Sequence, residues 1–121
     1  MELHEIFGNY RSLADLDARR KVLWSATQPS SPRYSHTPKT KPDYQNDLYV
    51  KFVEVEAEYY SAIITADLWL KTLPINQRTI MRLRYVEGLE WREVAKRSNY
   101  TEEHCRRLNT LAKQNMLQNV T

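Results

Sequence analysis

The stretch that decides the fold is LPINQRTIMRLRYVEGLEWREVAKRSNYTEEHCRR, which runs from Leu73 to Arg107. Its second half carries two residues at the spacing of a tight turn between packed helices. Ala95 is small enough to let a second helix approach closely, and Asn99 tolerates a positive φ better than most residues that have a side chain. Cys105, six positions further on, is a small apolar residue that suits an inward position. This pattern predicts two short helices joined by a tight turn, the helix-turn-helix arrangement.

Residues on both sides of this turn set the limits of the helices. Pro74 fits the start of one helix, because its missing N–H costs nothing in the first turn, and Gly88 is suited to end that helix. We expect a second helix from about Glu90 to Ser98. A third helix, over about residues 101–116, should begin where Thr101 caps its free N–H groups. The residues expected to pack inward around the turn are Trp91, Val94, Tyr100, Leu108 and Ala112.

The outward side of the third helix carries the polar residues of the unit. If Cys105 and Leu108 face the core, a period of about 3.6 residues leaves most of the charged and amide side chains toward solvent. Arginine pairs with guanine edges, asparagine with adenine and glutamate with the cytosine amino group, whereas lysine binds phosphates. An exposed arginine pair is by itself more often ordinary surface, and only its place on the second helix of this motif favours DNA binding. The candidate DNA-binding residues are Glu102, Glu103, His104, Arg106, Arg107, Asn109, Thr110 and Lys113.

Charge is divided unevenly along the chain. Residues 1–70 contain eight Lys and Arg against ten Asp and Glu, a net charge of −2, whereas residues 71–121 contain ten against five, a net charge of +5. The basic excess therefore accompanies the predicted helix-turn-helix, where it suits phosphate binding. A solvated helical face would give the same count, so charge alone does not decide the function.

Composition disfavours several other classes of protein. No apolar run approaches the ~20 residues that cross a bilayer, and the N-terminus lacks the basic and apolar blocks of a secretory signal, so we expect a cytoplasmic protein with no membrane partner. The scattered His4, His36 and His104 form no metal set or catalytic triad visible in the sequence. Cys105, the single cysteine, is better explained as a buried hydrophobic residue than as a nucleophile. We therefore expect no enzyme activity, no cofactor and no metal.

Three segments precede the helix-turn-helix. Apolar residues at a spacing of three and four predict an N-terminal helix within residues 1–24, from about Leu3 to Trp24. Residues 25–46 are rich in Pro, Ser and Thr and predict a mobile linker. A long helix over residues 47–72 has apolar residues at heptad spacing, which either pack on the first helix as a hairpin or join a second chain as a homodimer, the alternative that we favour. The seam comprises Leu48, Phe52, Val55, Tyr59, Ala62, Ala66, Trp69 and Leu73.

The stretch quoted above resembles the C-terminal DNA-binding region of bacterial sigma factors, which reads the −35 promoter element. The likeness lies in the Leu-Pro start, the Arg-Leu-Arg-Tyr run before an acidic-Gly pair, the Glu-Val-Ala core and the Thr-capped last helix. Nearly all of the chain resembles more specifically the sigma-like regulators of phages and prophages of Gram-positive bacteria, the autolysin-regulatory-protein (ArpU) type. Two residues depart from the sigma pattern: Ser98 stands where leucine is usual, and Asn99 where glycine is usual.

The resemblance implies an all-α fold, with a long N-terminal helical hairpin or coiled coil followed by a sigma-like helix-turn-helix domain over residues 73–121. It implies control of late phage or prophage genes through double-stranded DNA, with RNA polymerase as a further candidate partner. Within it, Arg106 and Arg107 with Glu102 and Glu103 fall where the family touches bases and backbone. The other sigma regions are lacking, so we expect no independent promoter melting.

Two other functions stay open. Small terminase subunits of phages also combine a helix-turn-helix with oligomerising helices, so a DNA-packaging subunit that assembles as a ring is one alternative. The other is a protein-interaction module, in which the heptad seam and the aromatic residues Tyr59, Tyr60 and Trp69 bind another protein such as RNA polymerase. Aromatic residues at helical spacing belong more often to a core, which weighs against this second alternative.

Overall fold

The computed structural model describes residues 2–28 and 42–120, with side chains over residues 2–28 and 46–118. All regular structure within these ranges is helical, which confirms the predicted all-α class. The α-helices are α1 (Leu3–Gly8), α2 (Ser12–Thr27), α3 (Pro42–Leu70), α4 (Ile75–Met81), α5 (Trp91–Ser98) and α6 (Glu102–Val120), and a π-helical turn (Arg82–Val86) continues α4. No helix in the described part of the chain is both long and apolar enough to cross a bilayer.

The N-terminal segment forms two helices rather than the single helix predicted from Leu3 to Trp24. α1 ends at Gly8, and the chain turns through Asn9, whose backbone is extended (φ −135°, ψ 114°). The Asn9 side-chain oxygen accepts the Arg11 N–H at 3.0 Å, which gives the backbone an alternative to helical bonding. Glycine and asparagine are both poor helix formers, so the break falls where local helix propensity is weakest. α2 then runs past the predicted end, to Thr27.

The segment between the two long helices is shorter than the predicted linker over residues 25–46. α2 continues to Thr27, and α3 begins at Pro42, where proline suits the first helical position. At its other end α3 stops at Leu70, short of residue 72. The mobility predicted for the rest of the linker, residues 29–41, lies outside the described residues.

The heptad seam of α3 packs inside its own chain. Phe52, Val55, Ala62 and Ala66 are buried, and α2 lies along α3 as the other arm of a hairpin. The Trp24 ring of α2 packs on Phe52 with ring centroids 5.1 Å apart. The structure therefore shows the hairpin alternative. The buried seam side chains are covered within this chain and do not offer a surface to a second one. Dimerisation itself stays a prediction.

Two buried clusters meet along α6. The helix-turn-helix core comprises buried residues of α4, α5 and the first half of α6: Ile80, Val94, Ala95, Cys105 and Leu108. The N-terminal core joins α1, α2 and α3 to Tyr85 of the π-helical turn and to Ala112 and Met116 in the second half of α6. The two halves of α6 thus belong to different clusters. As a result, the N-terminal helices help to hold the helix that is predicted to read DNA.

The turn before α5 is held by the N-terminal helices. The Arg84 guanidinium lies between the rings of Tyr10 and Trp91, at 3.7 and 4.3 Å from their centroids. Burial lowers the pKa of Arg84, and the two π faces offset part of the hydration that its guanidinium gives up. Arg11 donates a hydrogen bond from Nη1 to the carbonyl oxygen of Gly88 at 3.0 Å. Gly88 has a φ of +70°, as its predicted role in ending a helix requires.

Candidate nucleic-acid interface

The turn between α5 and α6 has the geometry predicted from Asn99. This residue is left-handed, with φ 63° and ψ 23°. Ser98, which stands where leucine is usual in sigma factors, donates its hydroxyl to the carbonyl oxygen of Ala95 at 3.3 Å and lies 3.5 Å from the Cys105 Sγ. Its Oγ also accepts the N–H of Tyr100 at 3.3 Å. The Ser98 hydroxyl therefore finds partners within the turn, which removes the penalty of a polar group beside the core.

α6 begins with the predicted threonine cap. The hydroxyl oxygen of Thr101 accepts the His104 N–H at 3.1 Å, and the carbonyl oxygen of Thr101 accepts the Cys105 N–H at 3.0 Å. Glu102 and Glu103 occupy the first turn, where the helix dipole favours negative charge. The cap thus fixes the direction in which α6 leaves the turn.

The inward face of α6 matches the prediction, whereas Tyr100 does not. Cys105, Leu108 and Ala112 are all buried. Tyr100 was expected to pack inward, but the residue is 39% exposed, and its ring packs edge-on against His104 with centroids 4.7 Å apart. Tyr100 precedes α6, so the helical period does not set its direction. Its ring is partly covered by the imidazole, an arrangement that suits an amphipathic tyrosine side chain.

The most outward line of α6 consists of Arg107, Thr110 and Gln114. Steps of three and four residues place these side chains on one face, opposite Cys105, and all three are exposed. With the exposed Glu103 they form what we call the α6 crest. Gln114 was not among the predicted site residues, although the same helical period identifies it.

Two ion pairs run along this exposed surface. Arg106 Nη2 lies 3.9 Å from Glu102 Oε1, and Arg107 Nη2 lies 3.7 Å from Glu103 Oε1, each pair across one helical turn. The two arginine side chains are 62% and 64% exposed, so each pair contributes only about 0.3–0.5 kcal/mol. A phosphate oxygen or a guanine edge can replace such a weak partner, which leaves both arginines available to a ligand.

Three predicted site residues lie beside the crest rather than on it. His104, Asn109 and Lys113 are half-buried. The Asn109 Oδ1 atom is covered and has no hydrogen-bond partner among the described residues. Because pairing with adenine uses both ends of the amide, Asn109 is not presented for it in this conformation. Lys113 Nζ lies 5.1 Å from the centre of the Tyr85 ring. The remaining predicted residues are exposed: Glu102, Glu103, Arg106, Arg107 and Thr110.

α5 adds basic side chains that the sequence interpretation did not assign to the site. Arg92 and Lys96 are exposed and lie four residues apart, so they share a face of α5. Neither forms an ion pair with another described residue, whereas Arg97 is paired with Glu87 at 3.3 Å and Glu93 at 3.5 Å. Arg92 and Lys96 are therefore available to neutralise phosphates. Their i, i+4 spacing in the sequence is the signal that identifies them.

Residues 69–116 match the family model described as Sigma-70, region 4. The matched range runs from the end of α3 into the second half of α6 and contains the whole turn between α5 and α6. These residues therefore form a sigma-like helix-turn-helix DNA-binding region, preceded in this chain by a helical hairpin. No curated protein and no solved structure matches the chain.

Proposed function

We propose that this chain is a sequence-specific transcriptional regulator, without enzymatic activity, that places α6 in the major groove of double-stranded DNA. The observation that carries this function is the α6 crest, an exposed polar line on the second helix of a sigma-like helix-turn-helix. In this motif the second helix lies in the groove, with its N-terminal residues against the base edges. Arg107 and Thr110 lie in the first half of α6, in agreement with such docking.

Each exposed side chain has a role that its chemistry suits. Arg106 and Arg107 are the proposed base readers, because a guanidinium donates two hydrogen bonds to a guanine edge. Glu102 and Glu103 hold these arginines in the free protein and accept from a cytosine amino group in the complex. The Thr110 hydroxyl donates to the Arg106 carbonyl oxygen at 3.1 Å, so toward DNA it can accept from a base amino group. The basic residues of α5 bind phosphates and set the orientation of the domain.

The reach of α6 into a groove is limited by its own packing. Ala112 and Met116 are buried in the N-terminal core, so the surface offered to a duplex runs from Thr101 to about Gln114. One such surface contacts only a few base pairs, and each good bidentate contact contributes about 1–3 kcal/mol of discrimination. A second copy of the chain would double the number of bases read. This supports our proposal that the regulator acts as a homodimer.

We further infer that the regulated genes are late genes of a phage or prophage, in the cytoplasm of a bacterial host, with RNA polymerase as a second partner. The support is the resemblance of the N-terminal part to regulators of the ArpU type, together with the region 4 similarity. A genome-wide footprint in the host checks this role, with binding expected upstream of lysis and structural genes. Binding confined to a packaging site, together with assembly as a ring, would contradict it and favour the terminase-like alternative.

DNA binding by α6 is tested with the Arg106→Ala/Arg107→Ala variant and a duplex that carries a site selected by the wild-type chain, by fluorescence anisotropy. We expect affinity to fall at least about tenfold, because each bidentate contact with a guanine edge contributes about 1–3 kcal/mol, whereas affinity for a random-sequence duplex should fall less. The melting curve should be unchanged, because both arginines are exposed. Arg19→Ala/Lys51→Ala is the matched control, since it removes two exposed charges outside the helix-turn-helix. Undiminished binding by the α6 variant would remove the recognition-helix assignment.

A further inference from the structure

α3 carries a second apolar line, on the side opposite its buried seam. We call it the outer stripe. At roughly 100° per residue, it lies about 175° around the helix from the seam. Ile64 and Leu68 are each 60% exposed, so bulky aliphatic surface faces solvent. A contiguous exposed apolar line of this kind indicates a binding surface, unlike scattered single residues. The outer stripe comprises Val50, Val53, Ala57, Tyr60, Ile64 and Leu68, all of them exposed.

The outer stripe is long enough for a stable protein interface. From Val50 to Leu68 it extends about 27 Å, at a rise of about 1.5 Å per residue. Stable complexes bury about 800 Å² per partner, so a partner on the outer stripe should also cover the adjacent surface of α2. The heptad seam does not compete for this partner, because it faces α2 and the N-terminal core.

One side of the outer stripe is acidic. Glu54 and Glu58 directly follow the stripe residues Val53 and Ala57, so both project to the same side of the stripe. Both glutamates are exposed, and neither forms an ion pair with another described residue. We call this pair the acidic flank. A partner that covers the outer stripe must present positive charge beside it, since uncompensated glutamates at the edge of an interface repel one another.

The other side of the outer stripe carries two basic side chains of α2, Arg20 and Lys21, which are paired with acidic side chains of the same chain. Glu56, which precedes Ala57, lies 3.5 Å from Arg20 Nη1 of α2. Asp17 lies 2.7 Å from Arg20 Nη2 and 3.1 Å from Lys21 Nζ, so these two basic and two acidic side chains have no net charge. Lys21 is 70% exposed and lines a shallow groove between α2 and α3. We call Arg20 and Lys21 the basic flank. Along the axis of α3, the basic flank lies beside Glu56, and Glu56 lies between Glu54 and Glu58 of the acidic flank.

These two flanks determine which orientation suits a pair of identical chains. If two α3 helices pack in parallel about a two-fold axis along their length, the acidic flank of each meets the basic flank of the other at the same height. If they pack antiparallel, each flank meets its own copy, so Glu54 and Glu58 approach the same glutamates of the partner. Charge therefore favours the parallel arrangement, because it keeps the two acidic flanks apart.

We propose that the outer stripe binds a second copy of this chain, with the two α3 helices parallel and each acidic flank against the partner's basic flank. This interface rests on the proposed homodimer and gives it a surface and an orientation. Both α3 helices then end at the same end of the dimer, where each leads into its helix-turn-helix. Two recognition helices at one end of a two-fold dimer suit a palindromic pair of half-sites.

Sedimentation equilibrium of the full chain tests the surface. Ile64→Lys places a charge in the middle of the outer stripe and should raise the dimer Kd by roughly ten- to a hundredfold. Val22→Lys is the matched control, because Val22 is 68% exposed but lies on α2 outside the stripe, and its Kd should equal that of the wild type. At a concentration where the wild-type chain is monomeric, the melting curves of both variants should match it, since Val22 and Ile64 are exposed. At higher concentration Ile64→Lys should melt lower, because it loses the stabilisation that dimer formation gives.

Disulfide trapping tests the orientation. In the parallel arrangement Val53→Cys and Leu68→Cys each face their own counterpart, so each variant alone should oxidise to a covalent dimer. The native Cys105 is buried and should not react. An antiparallel pair would cross-link only when the two variants are mixed, which would overturn the parallel arrangement.

The outcomes separate this interface from the proposed function. A wild-type chain that stays monomeric at every concentration overturns the interface and the homodimer together, while DNA binding is measured independently by the arginine variant of α6. A dimer whose Kd is unchanged by Ile64→Lys overturns the outer stripe and leaves the homodimer standing. A dimer weakened by Ile64→Lys and trapped by both single cysteines supports the whole proposal.

Discussion

Replacing Gly88 with alanine tests how firmly the N-terminal helices hold the helix-turn-helix. Gly88 has a φ of +70°, a conformation that costs a residue with a side chain about 1–2 kcal/mol. An added Cβ would also lie 2.6 Å from the Cβ of Ala14 in α2, closer than two carbon atoms approach without repulsion. Overpacking of this kind costs about 1–3 kcal/mol. We therefore expect Gly88→Ala to lower the free energy of unfolding by about 2–5 kcal/mol.

A second substitution separates the steric cost from the backbone cost. Ala14→Gly removes the atom that the new Cβ would meet, at a cost of about 1 kcal/mol for a glycine within a helix. In the Gly88→Ala/Ala14→Gly variant the overpacking should disappear, so a double-mutant cycle should give a coupling free energy of about 1–3 kcal/mol. Gly8→Ala is the matched control, because an added Cβ there meets no heavy atom within 4 Å.

Urea unfolding followed by circular dichroism measures these free energies, provided that each variant unfolds in one cooperative transition. The control Gly8→Ala should change the free energy of unfolding by less than about 1 kcal/mol. Additive effects of Gly88→Ala and Ala14→Gly, with no coupling, would refute the reasoning. They would mean that α2 does not press against the turn before α5.

The remaining predictions concern the turn, the cap and acid stability. Asn99→Ala should lower the free energy of unfolding by about 1 kcal/mol in urea titrations, because alanine tolerates the left-handed backbone less well. Thr101→Ala should cost about 1 kcal/mol in the same assay by removing the cap of α6. Burial alone raises the pKa of Asp17, but hydrogen bonds from Arg20 and Lys21 outweigh it and hold this pKa below its ordinary value. The ionised Asp17 carboxylate therefore stabilises the fold above the unfolded-state pKa of about 3.9. This stabilisation is lost as the pH falls through the lower folded-state pKa. Asp17→Asn should thus be destabilising at pH 7 but nearly neutral at about pH 2, and an equal effect at both pH values would contradict this.

Local features of the helix-turn-helix were predictable from the sequence, because neighbouring residues determine them. The positive φ of Asn99 and the cap at Thr101 each depend on backbone groups within a few residues. The inward face of α6 follows from its helical period once Cys105 is placed in the core. The helical period does not show how far neighbouring helices cover the residues at the edge of that face. For this reason the sequence did not predict that the Oδ1 atom of Asn109 is covered.

Features that depend on distant parts of the chain were not predictable. A heptad seam shows that one side of α3 is buried, but it does not show whether α2 or a second chain covers it. The contact of Arg84 with Tyr10 joins residues far apart in sequence, and neither residue type signals it. The break at Gly8 and Asn9 was overlooked, because apolar spacing continues through it and outweighed two weak helix formers. In each case tertiary packing decides between structures that the local pattern allows.

The claim that the α6 crest reads base pairs is tested most directly by selecting binding sites from a random DNA duplex library. The wild-type chain should enrich a defined motif, and Arg107→Ala should lose the preference for guanine at one position while the rest of the motif persists. Arg19→Ala removes an exposed charge from α2 and should select the wild-type motif. If Arg107→Ala and Arg106→Ala both select the wild-type motif with undiminished preference at every position, α6 does not read the bases and the central claim is contradicted.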